Sequence, residues 1–205
     1  VDEDAATATS PSALTAELAR LKAQAVLAAL GDVAEPTALV ACDSLLELDG
    51  RAWGKPQTEE AVVERWQRMR GRTASFHTGH QVVVLDERGR RQVNRVGTTT
   101  VTFADLDDAE IRAYAATGEP QKVAGAFTID SLGGPFVTGI QGDPHNVAGI
   151  SLPLVRQMLA DLGVSWPTLW NRPCSSPFSK CTPTRAPARA TAGAPPMTPE
   201  KPADT

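Results

Sequence analysis

Apolar and polar positions along this chain fall into blocks of two periods. Ser10-Pro11 reads as a helix start, a capping hydroxyl followed by proline at the first helical position. Leu14, Leu18, Leu21 and Ala25 then share one face, and Gly31 is the expected stop. Lys22 stands about 40° round from Leu18 on that helix. By spacing alone its stem lies along the core edge with its amine in water. After a loop over Asp32–Pro36, the apolar run Ala38–Cys42 predicts a strand buried on both faces and ending in Asp43. A carboxylate at a strand end is also ordinary turn chemistry. The half-apolar Leu45–Leu48, an Asp49-Gly50 turn and the rigid Gly54-Lys55-Pro56 follow.

Beyond Pro56 the pattern becomes helical again. Thr58 caps a segment with Glu59 and Glu60 in its first turn and Val62, Trp66 and Met69 as its core stripe, closed by Gly71. Thr73–Leu85 and a Val/Thr-rich run through Phe103 flank an Asp-Glu-Arg-Gly-Arg turn and predict a hairpin. His77 and His80, an odd spacing apart, belong on opposite faces of that strand, which argues against a shared metal. Asp105 or Asp107 opens a third helix containing Ile111 and Tyr114, which stops at Thr117-Gly118-Glu119-Pro120. The small-residue segment Lys122–Phe127 allows close backbone approach. Strand-like segments are expected over Phe127–Asp130 and Phe136–Ile140, and Pro153 opens a last helix closed by Gly163. Helices and strands alternate irregularly around at least one hairpin, so the expected class is α/β with a mixed sheet. The domain is expected over residues 1–168, followed over 171–205 by a disordered Pro/Ala/Thr-rich tail.

Composition narrows the partners. A chain of 205 residues supports one domain with a sizeable core. No run approaches the roughly 18 apolar residues of a membrane span, and the opening Val1-Asp-Glu-Asp lacks a signal-peptide pattern. The net charge of −4 supplies no global basic field for nucleic acid, so an anionic ligand must be held by a few local cations. The three cysteines, Cys42, Cys174 and Cys181, make no disulfide framework, and a cytoplasmic location fits best.

The candidate acids are Asp2, Glu3, Asp43, Glu47, Glu119 and Asp143, and the candidate phosphate-binding cations are Lys22, Lys55 and Lys122. The chain has no Walker-type phosphate loop, no dinucleotide fingerprint, no nucleophile elbow and no zinc spacing. That leaves metal-assisted hydrolysis. A carboxylate holds a divalent cation or activates water while lysines offset polyphosphate charge.

Several short motifs then occur in a set order. They are Lys22-Ala23, Ala41-Cys42-Asp43-Ser44, Gly54-Lys55-Pro56, Phe76-His77-Thr78-Gly79, Thr117-Gly118-Glu119-Pro120, Lys122-Val-Ala-Gly-Ala-Phe127, Gln141-Gly142-Asp143 and Asn146-Val-Ala-Gly-Ile-Ser-Leu-Pro153. As an ordered set over about residues 1–165 they resemble the Maf family, septum-formation proteins that act as nucleoside triphosphate pyrophosphatases. The resemblance implies a two-lobed α/β fold with a central cleft, similar to inosine triphosphate pyrophosphatase. It implies hydrolysis of a nucleoside triphosphate to monophosphate and pyrophosphate with Mg²⁺, Mn²⁺ or Co²⁺, a house-cleaning role with a link to division arrest, and a homodimer. Carried over by motif, Asp43 is the proton acceptor and, with Glu3, a metal ligand. Lys22 and Lys55 bind substrate, and Ser44 and Gln141 tune base choice. Gln141 agrees with the UTP/dTTP-type branch, whereas Ser44 stands where that branch has Thr.

The resemblance also exposes a departure. The family opens with a strand carrying a Ser-x-Ser-Pro-x-Arg motif, whereas this sequence begins at Asp2-Glu3 after Val1. The expectation is a start inside a longer reading frame or at an unusual codon. Without the bidentate phosphate grip of that Arg, an inactive nucleotide-binding or division-regulatory relative is the alternative reading.

Overall fold

The computed structural model describes residues 8–31, 33 and 35–170. The chain divides into two compact units, Val1–Leu169 and Trp170–Thr205, and the architecture below is that of the first. The expected tail, like Asp2 and Glu3, lies outside the described residues.

Helix α1 (Pro11–Leu30) begins where Ser10 accepts the Ala13 N–H and ends at Gly31, whose φ of +65° suits glycine. The strands are β1 (Thr37–Leu48), β2 (Arg51–Trp53), β3 (Thr73–Asp86), β4 (Gly89–Phe103) and β5 (Val137–Gln141). They form a five-stranded sheet in the order β2-β1-β3-β4-β5. Between them run α2 (Glu59–Met69) and α3 (Asp108–Ala116), and after β5 come the one-turn α4 (Pro144–Val147) and α5 (Leu152–Asp161). The α/β class holds. The expected mixed sheet does not, since every described pairing is antiparallel. Tight turns join β1 to β2 and β3 to β4; the connection through α2 carries the chain past β1, so that β3 runs in the same direction as β2, and the one through α3 returns it in the reverse direction to β5.

Two core clusters lie against the sheet. The larger joins Leu46, Phe76, Val101 and Phe103 to Trp66 of α2 and to Ile111 and Tyr114 of α3. Trp66 is fully buried, meets Phe103, Tyr114 and Phe136 edge to face, and donates its indole N–H to the Ala126 carbonyl at 2.8 Å. Truncating such a residue to alanine costs about 3–5 kcal/mol. The smaller cluster packs Val82 and Val84 against Val155, Met158 and Leu159 of α5.

Three local expectations are corrected. The run Ala38–Cys42 is half-buried or exposed, not buried on both faces, because among the described residues only β2 lies outside β1, opposite Leu46–Leu48. The strand also continues through Asp43 to Leu48, so that carboxylate stands mid-strand. Phe127–Asp130 is an irregular loop, not a strand, and it follows short 3₁₀ turns in which Gly125 adopts φ +74°.

The face that α1 buries is also rotated from the expected one. Thr15, Leu18, Ala19 and Ala23 are buried, not Leu14, Leu21 and Ala25. The cause lies in β3. A Cβ built on Gly79 would stand 2.1 Å from the Thr15 carbonyl oxygen, so only glycine lets the helix backbone come this close. Small side chains on the helix then suit the narrow gap.

Candidate active site

This close docking builds one side of the site. In the sheet register Asp43 of β1 lies opposite Gly79 of β3, where α1 touches the sheet. Lys22 lies two helical turns beyond Thr15, three residues past the buried Ala19 and one before the buried Ala23. Its Nζ forms a short ion pair with an Asp43 carboxylate oxygen. The Asp43 side chain is only 12% exposed and that of Lys22 33%, so the pair sits at the rim of the packed layer. The lysine expected to end in water is held in place by the sheet.

The pair opens into a cleft of about 310 Å³ whose lining includes Lys22, Asp43, Ser44, Lys55, Lys122 and Asp130. Three lysine amines and two carboxylates share this one concavity, the mixture expected of a polyphosphate site. The cleft's wall is completed by Cys42, Phe76, Val123–Ala124, Phe127–Ile129 and Val147–Gly149. A larger concavity of about 600 Å³ lies around Leu85–Arg90 at the other end of β3 and contains none of the candidate residues.

Each wall has its own support. Ser44 shares a 2.8 Å hydrogen bond with Thr78, whose hydroxyl donates to the Asn146 carbonyl at 2.8 Å. The Asn146 amide donates to the Phe76 and Gly97 carbonyls, each at 3.2 Å. A Cβ on Gly97 would meet that side chain at 2.4 Å, so this glycine makes room for the brace of the Val147–Gly149 wall. The Thr128–Gly133 loop is gathered by one carboxylate, Glu119. It accepts from Thr128 Oγ1 at 2.6 Å, Ser131 Oγ at 2.7 Å and Tyr114 Oη at 3.0 Å, and from the Leu132 and Gly133 amides. Desolvation opposes ionisation of Glu119, but the donations from Thr128, Ser131 and Tyr114 outweigh it and hold the carboxyl at about 2. Burial pushes the Tyr114 phenol up to about 12, so it remains a donor.

The other candidates lie elsewhere. Glu47 pairs with His77 at 2.8 Å, and the His77 ring also meets Thr98 at 2.9 Å. His80 points to the opposite face, as its spacing predicts, and accepts the Ser151 N–H at 2.8 Å; burial holds its pKa below the ordinary value. Asp143 caps α4 and accepts from Ser151 Oγ at 2.5 Å. Gln141 is exposed at the end of β5, paired with Thr100, and is not among the residues lining the cleft. Sequence reasoning missed Asp130, which it had placed on a strand, and the Val147–Gly149 wall. For the wall, the signal available was the Asn146-Val-Ala-Gly stretch, with Gly149 at φ +110°.

With this geometry in view, comparison with known proteins becomes specific. A family model described as Maf-like protein matches residues 1–162. A protein of Cutibacterium acnes named nucleoside triphosphate pyrophosphatase is 57% identical over 164 residues, 78% of this chain and 77% of that protein. Relatives bearing the same name in Salinispora tropica and Streptomyces coelicolor are each 48% identical. The first covers 89% of this chain and 82% of its own length, the second 83% and 81%. The chain belongs to the Maf-like protein family.

Proposed function

We propose that this chain hydrolyses nucleoside triphosphates to the nucleoside monophosphate and pyrophosphate, removing unwanted nucleotides from the pool. The observation that carries the reading is the Asp43–Lys22 pair at the rim of a cleft that also holds Lys55 and Lys122. The relatives' shared name supports the same reaction class. Hydrolysis at the α-phosphorus needs an aligned water, a base to take its proton, and positive charge against the departing pyrophosphate. Asp43 is the base in this account, because its carboxylate lines the cleft and is oriented by a lysine. Lys22, Lys55 and Lys122 offset the phosphate charge.

The donor set suits a hard divalent cation. Mg²⁺ commonly takes one or two carboxylates and completes its shell with water and substrate phosphates. Asp43 is such a carboxylate, and Asp130 lines the same cleft. Among the described residues no group of three or more His, Cys, Asp or Glu is placed to hold a metal ion. When bound, the cation supplies further charge neutralisation at the phosphates.

A pyrimidine preference is proposed from Gln141, which agrees with the UTP/dTTP-type branch, while Ser44, hydrogen-bonded to Thr78, lines the cleft where that branch has Thr. The test is phosphorus NMR of the products from UTP, dTTP, CTP, GTP and ATP with Mg²⁺ or Mn²⁺. The expected products are monophosphate and pyrophosphate, fastest from UTP or dTTP. Diphosphate and orthophosphate would overturn the reaction class, and no turnover by folded protein would favour a nucleotide-binding role without chemistry.

A further inference from the structure

Arg65 is buried within α2, 8% exposed, yet among the described residues it forms no ion pair with a carboxylate. Its Nη1 donates a short hydrogen bond to the Gly54 carbonyl. Its guanidinium carbon lies 5.0 Å from the centroid of the Trp53 ring, and that of Arg51 lies 5.1 Å from the same ring. Its Nε is buried with no partner among the described residues. A buried guanidinium is costly unless its surroundings use the charge. Here the surroundings are the face of an indole, which attracts a cation, and one carbonyl oxygen.

That carbonyl is in a telling place. Gly54 immediately precedes Lys55, and the Gly54 oxygen also accepts the Gly125 N–H at 3.3 Å. Gln57, three residues on, donates to the Gln121 carbonyl at 3.2 Å. The Gly54–Gln57 loop is thus pinned at both ends to the segment that carries Lys122, and two cleft lysines are held in one register. Arg65 supplies the charged donor of that pin. It is not itself among the residues that line the cleft.

We propose that Arg65 is a positioning residue for Lys55. Clamped on Trp53, its guanidinium fixes the Gly54 carbonyl and with it the backbone from which Lys55 enters the cleft. The inference rests on the reading of the cleft as the triphosphate site. Lysine at this position keeps the charge but loses the planar fork that stacks and donates together.

The test is a double-mutant cycle on the full chain with Arg65→Lys and Lys55→Met, read by pyrophosphate release and by backbone hydrogen exchange. If Arg65 acts through Lys55, Arg65→Lys lowers kcat/KM about 10-fold alone and has almost no further effect once Lys55 is Met. Exchange over residues 53–57 and 123–126 rises at least about 10-fold in Arg65→Lys while the β3–β4 core keeps its protection. Multiplying rate effects, or unchanged exchange in those two segments, would overturn the proposal. Were Arg65→Lys to unfold, Trp53→Leu removes the clamp from the other side and must give the same two signatures; their absence would equally overturn it. If the unmodified chain releases no pyrophosphate, the reaction assignment fails, and hydrogen exchange alone decides whether Arg65 pins the loop.

Discussion

Asp43 draws its significance from its neighbours. Many carboxylates end strands, but this one stands mid-strand, opposite a glycine that brings a helix and its lysine within reach. Cys42, the residue before it, is marked by the same surroundings. Burial first, and then the Asp43 charge, push its thiol up to about 11 from an ordinary 9.0. Although Cys42 lines the cleft, at pH 8 it carries roughly a hundredfold less thiolate than an ordinary cysteine. With Cys174 and Cys181 replaced by serine, alkylation of Cys42 should therefore be slow at pH 8 and climb until pH passes about 11. A rate that levels off near pH 9 would show an ordinary thiol. Lys22 marks the limit of residue-level reading. Its spacing placed it at the edge of the expected stripe, but the face that α1 buries runs from Leu18 to Ala23 with Lys22 inside it, and spacing cannot distinguish an amine in water from one held by a sheet.

Elements were legible where their signals are local. The caps at Ser10 and Thr58 and the Asp86–Gly89 turn all depend on residues within a few positions of one another, and of the two expected starts of α3, Asp105 and Asp107, it is Asp107 that caps it. The face that α1 buries was not legible, because it follows from the missing side chain of Gly79, some sixty residues away. The Thr128–Gly133 loop was misread for a similar reason. Phe127 and Ile129, in the stretch Phe127–Asp130 read as a strand, alternate as strand residues do, but the loop's polar groups turn inward to Glu119. This loop yields a pH-dependent prediction. The Glu119 carboxyl, near 2 in the folded chain against an ordinary 4.5, stabilises the fold fully above about pH 4.5 and loses that contribution as pH falls towards 2. Glu119→Gln puts an amide among the donors, so at pH 7 it should cost about 1–3 kcal/mol in denaturant melts. The difference from the unmodified chain should narrow as pH falls from 4.5 to 2. A difference constant across that window would mean that the carboxylate's charge does not hold the loop.

At the scale of the whole domain, the α/β class was readable from helix and strand periodicity, but sheet direction was not. Alternation of elements does not say whether a connection crosses over or folds back, and here the one through α2 passes β1 while every neighbouring pair of strands is still antiparallel. No helix among the described residues is long and apolar enough to cross a membrane. The cleft is a convergence of separate supports: α1 presents Lys22, β1 presents Asp43, and a loop pinned by α2 presents Lys55. Short motifs pointed to most of these residues, whereas the contacts that aim them are long-range. The central claim of the proposed function is that Asp43 takes the proton from the attacking water. The most direct measurement is the single-turnover rate of pyrophosphate release by Asp43→Asn, with nucleotide binding and thermal melting measured on the same preparation. The account predicts a folded variant that binds nucleotide within several-fold of the unmodified chain and releases pyrophosphate at least about 100-fold more slowly. A folded variant that releases it at the unmodified rate would contradict it.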